Sequence, residues 1–150
     1  MTEGSRVLLS MRVNATPARA FAAFTEEIGQ WWRPNGLFEF RRGRSGVLSF
    51  ANRRLIETYD DGSVFEIGEV RVWDPPHRLV VTWRQESFAP DQSTELHVRF
   101  DEVGAQTRVT VEHFGWDTIP QKHAARHGFP LATFQLRFAE WWREMLAGLL

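Results

Sequence analysis

Residues 131–150 constrain this chain more than any other stretch. At 3.6 residues per turn, Leu131, Phe134, Phe138, Trp142, Met145 and Leu149 fall on one stripe, with Trp141 and Leu146 flanking it. Thr133, Arg137, Glu140 and Glu144 fall opposite, and Arg143 lies at their edge. Pro130 stands just before the stripe, where a missing N–H costs a helix least. The spacing predicts a long amphipathic helix over 131–150. Its broad aromatic face needs a large apolar partner, which the rest of the chain has to supply.

That partner reads as a sheet. In residues 6–13, Val7, Leu9, Met11 and Val13 alternate with Leu8, Ser10 and Arg12, the pattern of a half-buried strand. Thr16-Pro17 is an N-cap followed by a first helical residue, and residues 18–25 continue as a short helix burying Phe21 and Phe24. A second short helix over 28–32 ends at Arg33-Pro34, because a residue before proline disfavours the helical region. Asn35-Gly36 is a turn signal.

Strands are then predicted over 37–42, 47–50, 55–59 and 64–73, with a hairpin turn at Asp60-Asp61-Gly62. In the last of these the inward phase changes between Phe65/Ile67 and Val70/Val72, and Gly68 between them marks a bulge. After the turn at Asp74-Pro75-Pro76-His77 come three more alternating runs, with Leu79/Val81/Trp83, Leu96/Val98/Phe100 and Val109/Val111/His113 each on one face. Residues 115–129 read as irregular or weakly helical. The order is one strand, two short helices, a meander of six or seven strands and a long helix. That order predicts an α+β fold in which a curved antiparallel sheet wraps the C-terminal helix.

Length and composition bound the function. One hundred and fifty residues, 43% apolar and 25% charged, fit a single soluble domain with a sizeable core. A net charge of −1 gives no reason to expect a nucleic-acid partner. Twelve Phe and seven Trp predict extensive aromatic packing or an aromatic-lined cavity. The absence of cysteine excludes disulfides, thiol catalysis and cysteine-ligated metal. Residues 7–9 are the only apolar run near the N-terminus, too short for a signal peptide or membrane span, so a cytoplasmic protein with no membrane partner is expected.

Three motifs carry a family resemblance over nearly the whole chain. They are Ala20-Phe21-Ala22-Ala23-Phe24-Thr25 with Ile28-Gly29-Gln30-Trp31-Trp32; Gly68-Glu69-Val70 with the run from Trp73-Asp74-Pro75-Pro76-His77 to Trp83; and Val109-Thr110-Val111-Glu112-His113-Phe114-Gly115 before a Trp-rich helix. In this order they resemble bacterial proteins similar to the C-terminal domain of the activator of the heat-shock-protein-90 ATPase, within the START-related (SRPBCC) superfamily. The resemblance implies a helix-grip fold. It also implies a range of roles: lipid and hormone carriers, aromatic cyclases, ring-hydroxylating oxygenase domains and co-chaperones.

Several residues are candidates for chemistry. His113 is predicted to point inward, at the mouth of a cavity, where it would orient a polar ligand group or act as acid or base. The alternative is a core histidine bonded to a backbone carbonyl. Glu66 or Glu69 could face inward and pair with His113, or both could pair with arginine near an edge. His123 and His127 have the i, i+4 spacing of zinc ligands, but Ala124 stands where the zinc hydrolases carry glutamate, so no metal site is expected. Arg41, Arg42, Arg44, Arg53 and Arg54 make a basic hairpin, expected to be solvated and counter-charged. Cavity-lining candidates are Trp31, Trp32, Phe38, Phe65, Trp83, Val111, His113, Phe129, Phe134 and Phe138.

The reading that follows is a non-enzymatic binder of a small apolar or amphipathic ligand between sheet and helix, without cofactor, monomeric or homodimeric. The alternatives are a module for a chaperone or other protein partner, and a cyclase or isomerase using the same cavity.

Overall fold

The structure is a computed structural model that describes residues 6–32, 40, 41, 44, 46–119, 126 and 128–149. The alternating runs form seven strands: β1 (Arg6–Val13), β2 (Val47–Ala51), β3 (Arg54–Thr58), β4 (Val64–Asp74), β5 (Arg78–Trp83), β6 (Thr94–Val103) and β7 (Gln106–Phe114). They pair antiparallel in one curved open sheet of order β1-β7-β6-β5-β4-β3-β2. The chain crosses from one sheet edge to the other between β1 and β2, by way of α1 (Pro17–Thr25) and α2 (Ile28–Trp31). With α3 (Leu131–Leu146) against the sheet, this is the α+β helix-grip arrangement. The strand expected over 37–42 lies outside the described residues, apart from Phe40 and Arg41.

Local chemistry starts the first helix as the sequence predicts, and a side-chain bond joins it to the second. Thr16 caps α1, its Oγ1 accepting from the Arg19 N–H at 3.2 Å, and Pro17 occupies the first turn. The Trp31 indole N–H donates to the Ala23 carbonyl at 3.0 Å and ties α2 to α1.

The sheet's inward rows run across the strands by register. One row is Leu9, Val111, Val98 and Leu79; the next is Val7, His113, Leu96, Val81 and Val70, all buried. The phase change in β4 is a bulged register. Leu55 pairs with Gly68 while Ile56 pairs with Glu66, leaving Ile67 extra, and a second shift leaves Arg71 extra between Val70 and Val72. Ile67 and Val70 are thereby both in the core. Gly68 allows this, because a Cβ there would lie 1.6 Å from the Thr82 carbonyl oxygen.

Helix α3 buries Phe134, Phe138, Trp142 and Met145 on the predicted stripe, with Trp141 and Leu146 beside it. It is shorter than the 131–150 expected. After Leu146 the chain tightens, with Gly148 N–H bonding the Met145 carbonyl and Leu149 N–H that of Leu146, so the apolar pattern outlasts the α-helical ladder.

Candidate functional site

His113 is an imidazole in an apolar row, 0% exposed. Its Nε2 lies 2.7 Å from Thr94 Oγ1, and that hydroxyl donates to the Trp83 carbonyl at 3.0 Å. The Thr94 hydroxyl has one hydrogen, already given to Trp83, so His113 carries its proton on Nε2 and donates it. Nδ1 is left as a bare lone pair with no partner and no access to solvent. Burial, and to a lesser extent the nearby His97, push the His113 pKa down to about 3. The ring is therefore neutral across the physiological range, with Nδ1 left as an unfilled acceptor.

Around this acceptor the rings of sheet and helices converge. His113 lies 5.2 Å from Trp83, 5.2 Å from Phe138 and 5.4 Å from Trp116 between ring centroids. Trp83 continues to Trp142 at 6.0 Å and Trp32 at 5.4 Å, and Trp116 to Phe134 at 4.7 Å. The indole N–H groups of Trp83, Trp116 and Trp142 are buried without a hydrogen-bond partner. One cluster thus holds three unpaired donors, one unpaired acceptor and a wall of apolar ring faces.

Most of the predicted cavity-lining residues meet here. Trp31, Trp32, Trp83, Val111, His113, Phe134 and Phe138 are buried in the one core. Phe65 and Phe129 are only half-buried at its margin and make no ring contact with a described residue, while Phe38 lies outside the described residues. His113 departs from its expected place. It lies deep in the core rather than at a mouth, because the 3-10 turn Trp116–Thr118 folds the Trp116 ring over it. Its partner is a threonine hydroxyl and not a backbone carbonyl.

Trp116, Thr94, Trp142 and Arg126 belong to the site region but were not among the predicted site residues. Trp116 sits in a segment without periodicity, and Thr94 reads as the end of a polar loop. Trp142 was assigned to the helix stripe alone.

The remaining candidates fall elsewhere. Glu66 pairs with Arg54 at 2.8 Å, and Glu69 bridges Arg54 and Arg71 at 3.1 and 3.3 Å, so neither meets His113. In the basic hairpin Arg41 pairs with Glu86 at 2.7 Å and Arg44 with Asp61 at 3.2 Å. Their guanidinium groups lie over the Tyr59 ring, whose hydroxyl donates to the buried Glu57. Arg53 has no ion pair among the described residues, and Arg42, His123 and His127 lie outside them. Among the described residues no group of three His, Asp or Glu is placed to hold a metal ion, and no helix is long and apolar enough to cross a membrane. Two open clefts, of about 260 and 330 Å³, flank Trp73, which is 42% exposed and stacks edge-on against Phe21 and Phe50.

Comparison with known proteins places this architecture. Residues 14–150 match the model of the family described as Activator of Hsp90 ATPase homolog 1-like protein. The chain belongs to that family. The anthrahydroquino-Gama-pyrone synthase Txn09 is a similar solved structure, 30% identical over 86% of this chain and 83% of that one, with a TM-score of 0.51. An HSP90 activator from Plasmodium falciparum is similar at 18% identity, over 90% of this chain and 88% of that one, with a TM-score of 0.57. DynU16, a putative protein in the dynemicin biosynthetic locus, is 18% identical with a TM-score of 0.64, covering 97% of this chain and 45% of that one. The last two likenesses carry the fold alone. No curated protein matches the chain by sequence.

Proposed function

We propose that this member of the activator-like family binds a small planar aromatic molecule with polar substituents, between the sheet and α3 beside His113. The observation that carries the reading is the set of four buried, unpartnered polar atoms in one ring cluster: the indole N–H groups of Trp83, Trp116 and Trp142, and Nδ1 of His113. Buried polar groups are normally paired, and each one left unpaired costs about 1–3 kcal/mol. Hydroxyl and carbonyl groups on an aromatic ligand would answer such donors and acceptors, while its faces replace the ring contacts it parts. Txn09, a synthase of a fused aromatic product by its name, supports the same ligand class.

That relative, a synthase by its name, also favours a second reading, an enzyme using the same site, of which an aromatic cyclase is the kind the sequence resemblance implies. His113 argues against being its base. A general base works best with a pKa near the operating pH, and burial holds this one at about 3. Its neutral Nδ1 accepts a hydrogen bond and orients a ligand; it does not draw off a proton.

Quenching of the core tryptophans by 2-naphthol and by naphthalene tests the proposal. One hydrogen bond to Nδ1 is worth about 0.5–1.5 kcal/mol, so 2-naphthol should bind roughly two- to tenfold more tightly than naphthalene. His113→Phe should abolish the difference. Saturable binding of neither compound removes the proposal, and a preference that survives His113→Phe moves the site away from this residue.

A further inference from the structure

We propose that Arg126 is the counter-charge for an anionic group, a carboxylate or an ionised phenol, on the molecule bound at the N-terminal end of α3. The inference rests on the interior site proposed above and adds the charge of its ligand. Arg126 is only 4% exposed. Its Nη1 donates to the Ile119 carbonyl at 2.8 Å and its Nη2 to the Phe129 carbonyl at 2.7 Å. The guanidinium lies 5.6 Å from the centre of the Phe134 ring. Nε–H has neither a partner nor solvent.

No carboxylate pairs with this cation among the described residues. The local sequence is mostly basic: residues 119–130 contain Lys122, His123, Arg126 and His127 and no Asp or Glu, the nearest carboxylate in sequence being Asp117. Burying a charge without a counter-ion is costly, and desolvation accordingly pushes the Arg126 pKa down.

The helix beside it adds to the imbalance. Phe129 precedes α3 and Phe134 lies in its first turns, so the guanidinium sits within about a turn of the positive end of the helix dipole. The N-cap is Pro130, which makes no side-chain cap hydrogen bond. A cation at an uncapped helix N-terminus is the unfavourable pairing, and an anion there would satisfy both. Two ring contacts, Phe134 to Trp116 at 4.7 Å and Trp116 to His113 at 5.4 Å, connect this place to the interior acceptor. A purely structural Arg126 would need only its two carbonyls, and ligand charge would not concern it.

The test compares 2-naphthoate with its neutral isostere 2-naphthamide, by calorimetry on the full chain at pH 7. The wild type should bind naphthoate at least tenfold more tightly. Arg126→Gln should bring the two within about twofold. Because that variant removes a buried fork and can fail to fold, the Arg126 Nε–H resonance is also followed in the wild type, where it should move with naphthoate and stay with naphthamide. Equal affinities in the wild type, an unmoved resonance, or a preference that survives Arg126→Gln each overturn the inference. If 2-naphthol binds while neither of these probes does, the interior site stands and the anion site falls. If none of the three binds, the interior site itself is wrong.

Discussion

Lowering the pH from 7 to 5 should destabilise the protein by about 2 kcal/mol through His113 alone. The folded pKa of about 3 lies below the ordinary 6.5 expected of the unfolded chain. Below pH 6.5 the unfolded state therefore takes up a proton that the fold refuses. Stability contributed by the neutral ring is complete above 6.5 and is lost progressively as the pH falls toward 3. Each pKa unit is worth about 1.4 kcal/mol, and pH 5 lies 1.5 units below the unfolded value, which gives about 2 kcal/mol. Carboxylates held low by their partners, such as Asp61 beside Ser63 and Glu27 beside Arg19, lose stability in the same direction as they protonate. They do so at lower pH than the window from 7 to 5, which isolates the histidine. The assay is urea unfolding, followed by tryptophan fluorescence, at pH 7 and pH 5 in the wild type and in His113→Phe. The lost Thr94 hydrogen bond offsets both pH values equally, so the difference between the two differences reports the ring's titration. Equal losses in the two proteins would refute the argument, since His113 would then take up its proton as readily folded as unfolded.

Two further perturbations test the packing that holds the site. Gly68→Ala should cost more than about 3 kcal/mol, because its Cβ would stand 1.6 Å from the Thr82 carbonyl and force β4 from β5; Gly62→Ala, with φ of +85° and open space around it, should cost only about 1 kcal/mol. Comparable denaturation midpoints for the two variants would mean that the β4 bulge yields easily. Trp142→Ala should cost about 3–5 kcal/mol and Leu136→Ala, 59% exposed on the same helix, less than about 0.5 kcal/mol; a small loss at Trp142 would mean that α3 is not gripped by the sheet.

What the sequence made legible follows its periodicities. A two-residue alternation assigns Val109, Val111 and His113 to one face, and a 3.6-residue stripe assigns Phe134, Phe138 and Trp142 to another. The fold brings the two sets together because they are the large apolar surfaces available. The bulge was readable too, since Gly68 stands where the inward phase of β4 changes. Depth was not readable. Nothing in the pattern places Trp116 over His113, because the intervening turn starts from Gly115 with φ of +101° and has no repeat to extrapolate. Glu66 and Glu69 were equally open to two readings. Alternation alone cannot say whether a carboxylate beside a bulge turns inward, and Arg54 and Arg71 decide it by supplying charge at the surface.

The indoles sharpen the case for a polar occupant. Trp31 is as buried as the other core tryptophans, and its N–H donates to the Ala23 carbonyl at 3.0 Å. The fold can therefore supply a partner to a buried indole where the ring serves only to join two helices. At Trp83, Trp116 and Trp142 it supplies none. Phenylalanine, which the chain uses twelve times, would fill much of the same space without a stranded donor. Three tryptophans and a histidine with unanswered polar atoms, linked by ring contacts in the order Trp116, His113, Trp83 and Trp142, make a core less stable than an apolar one of the same shape. Such a cost is expected of a core whose partner groups arrive from outside. On that reasoning, Trp116→Phe and Trp83→Phe lose ligand affinity more readily than they lose stability, whereas Trp31→Phe, which breaks a satisfied bond, loses stability first.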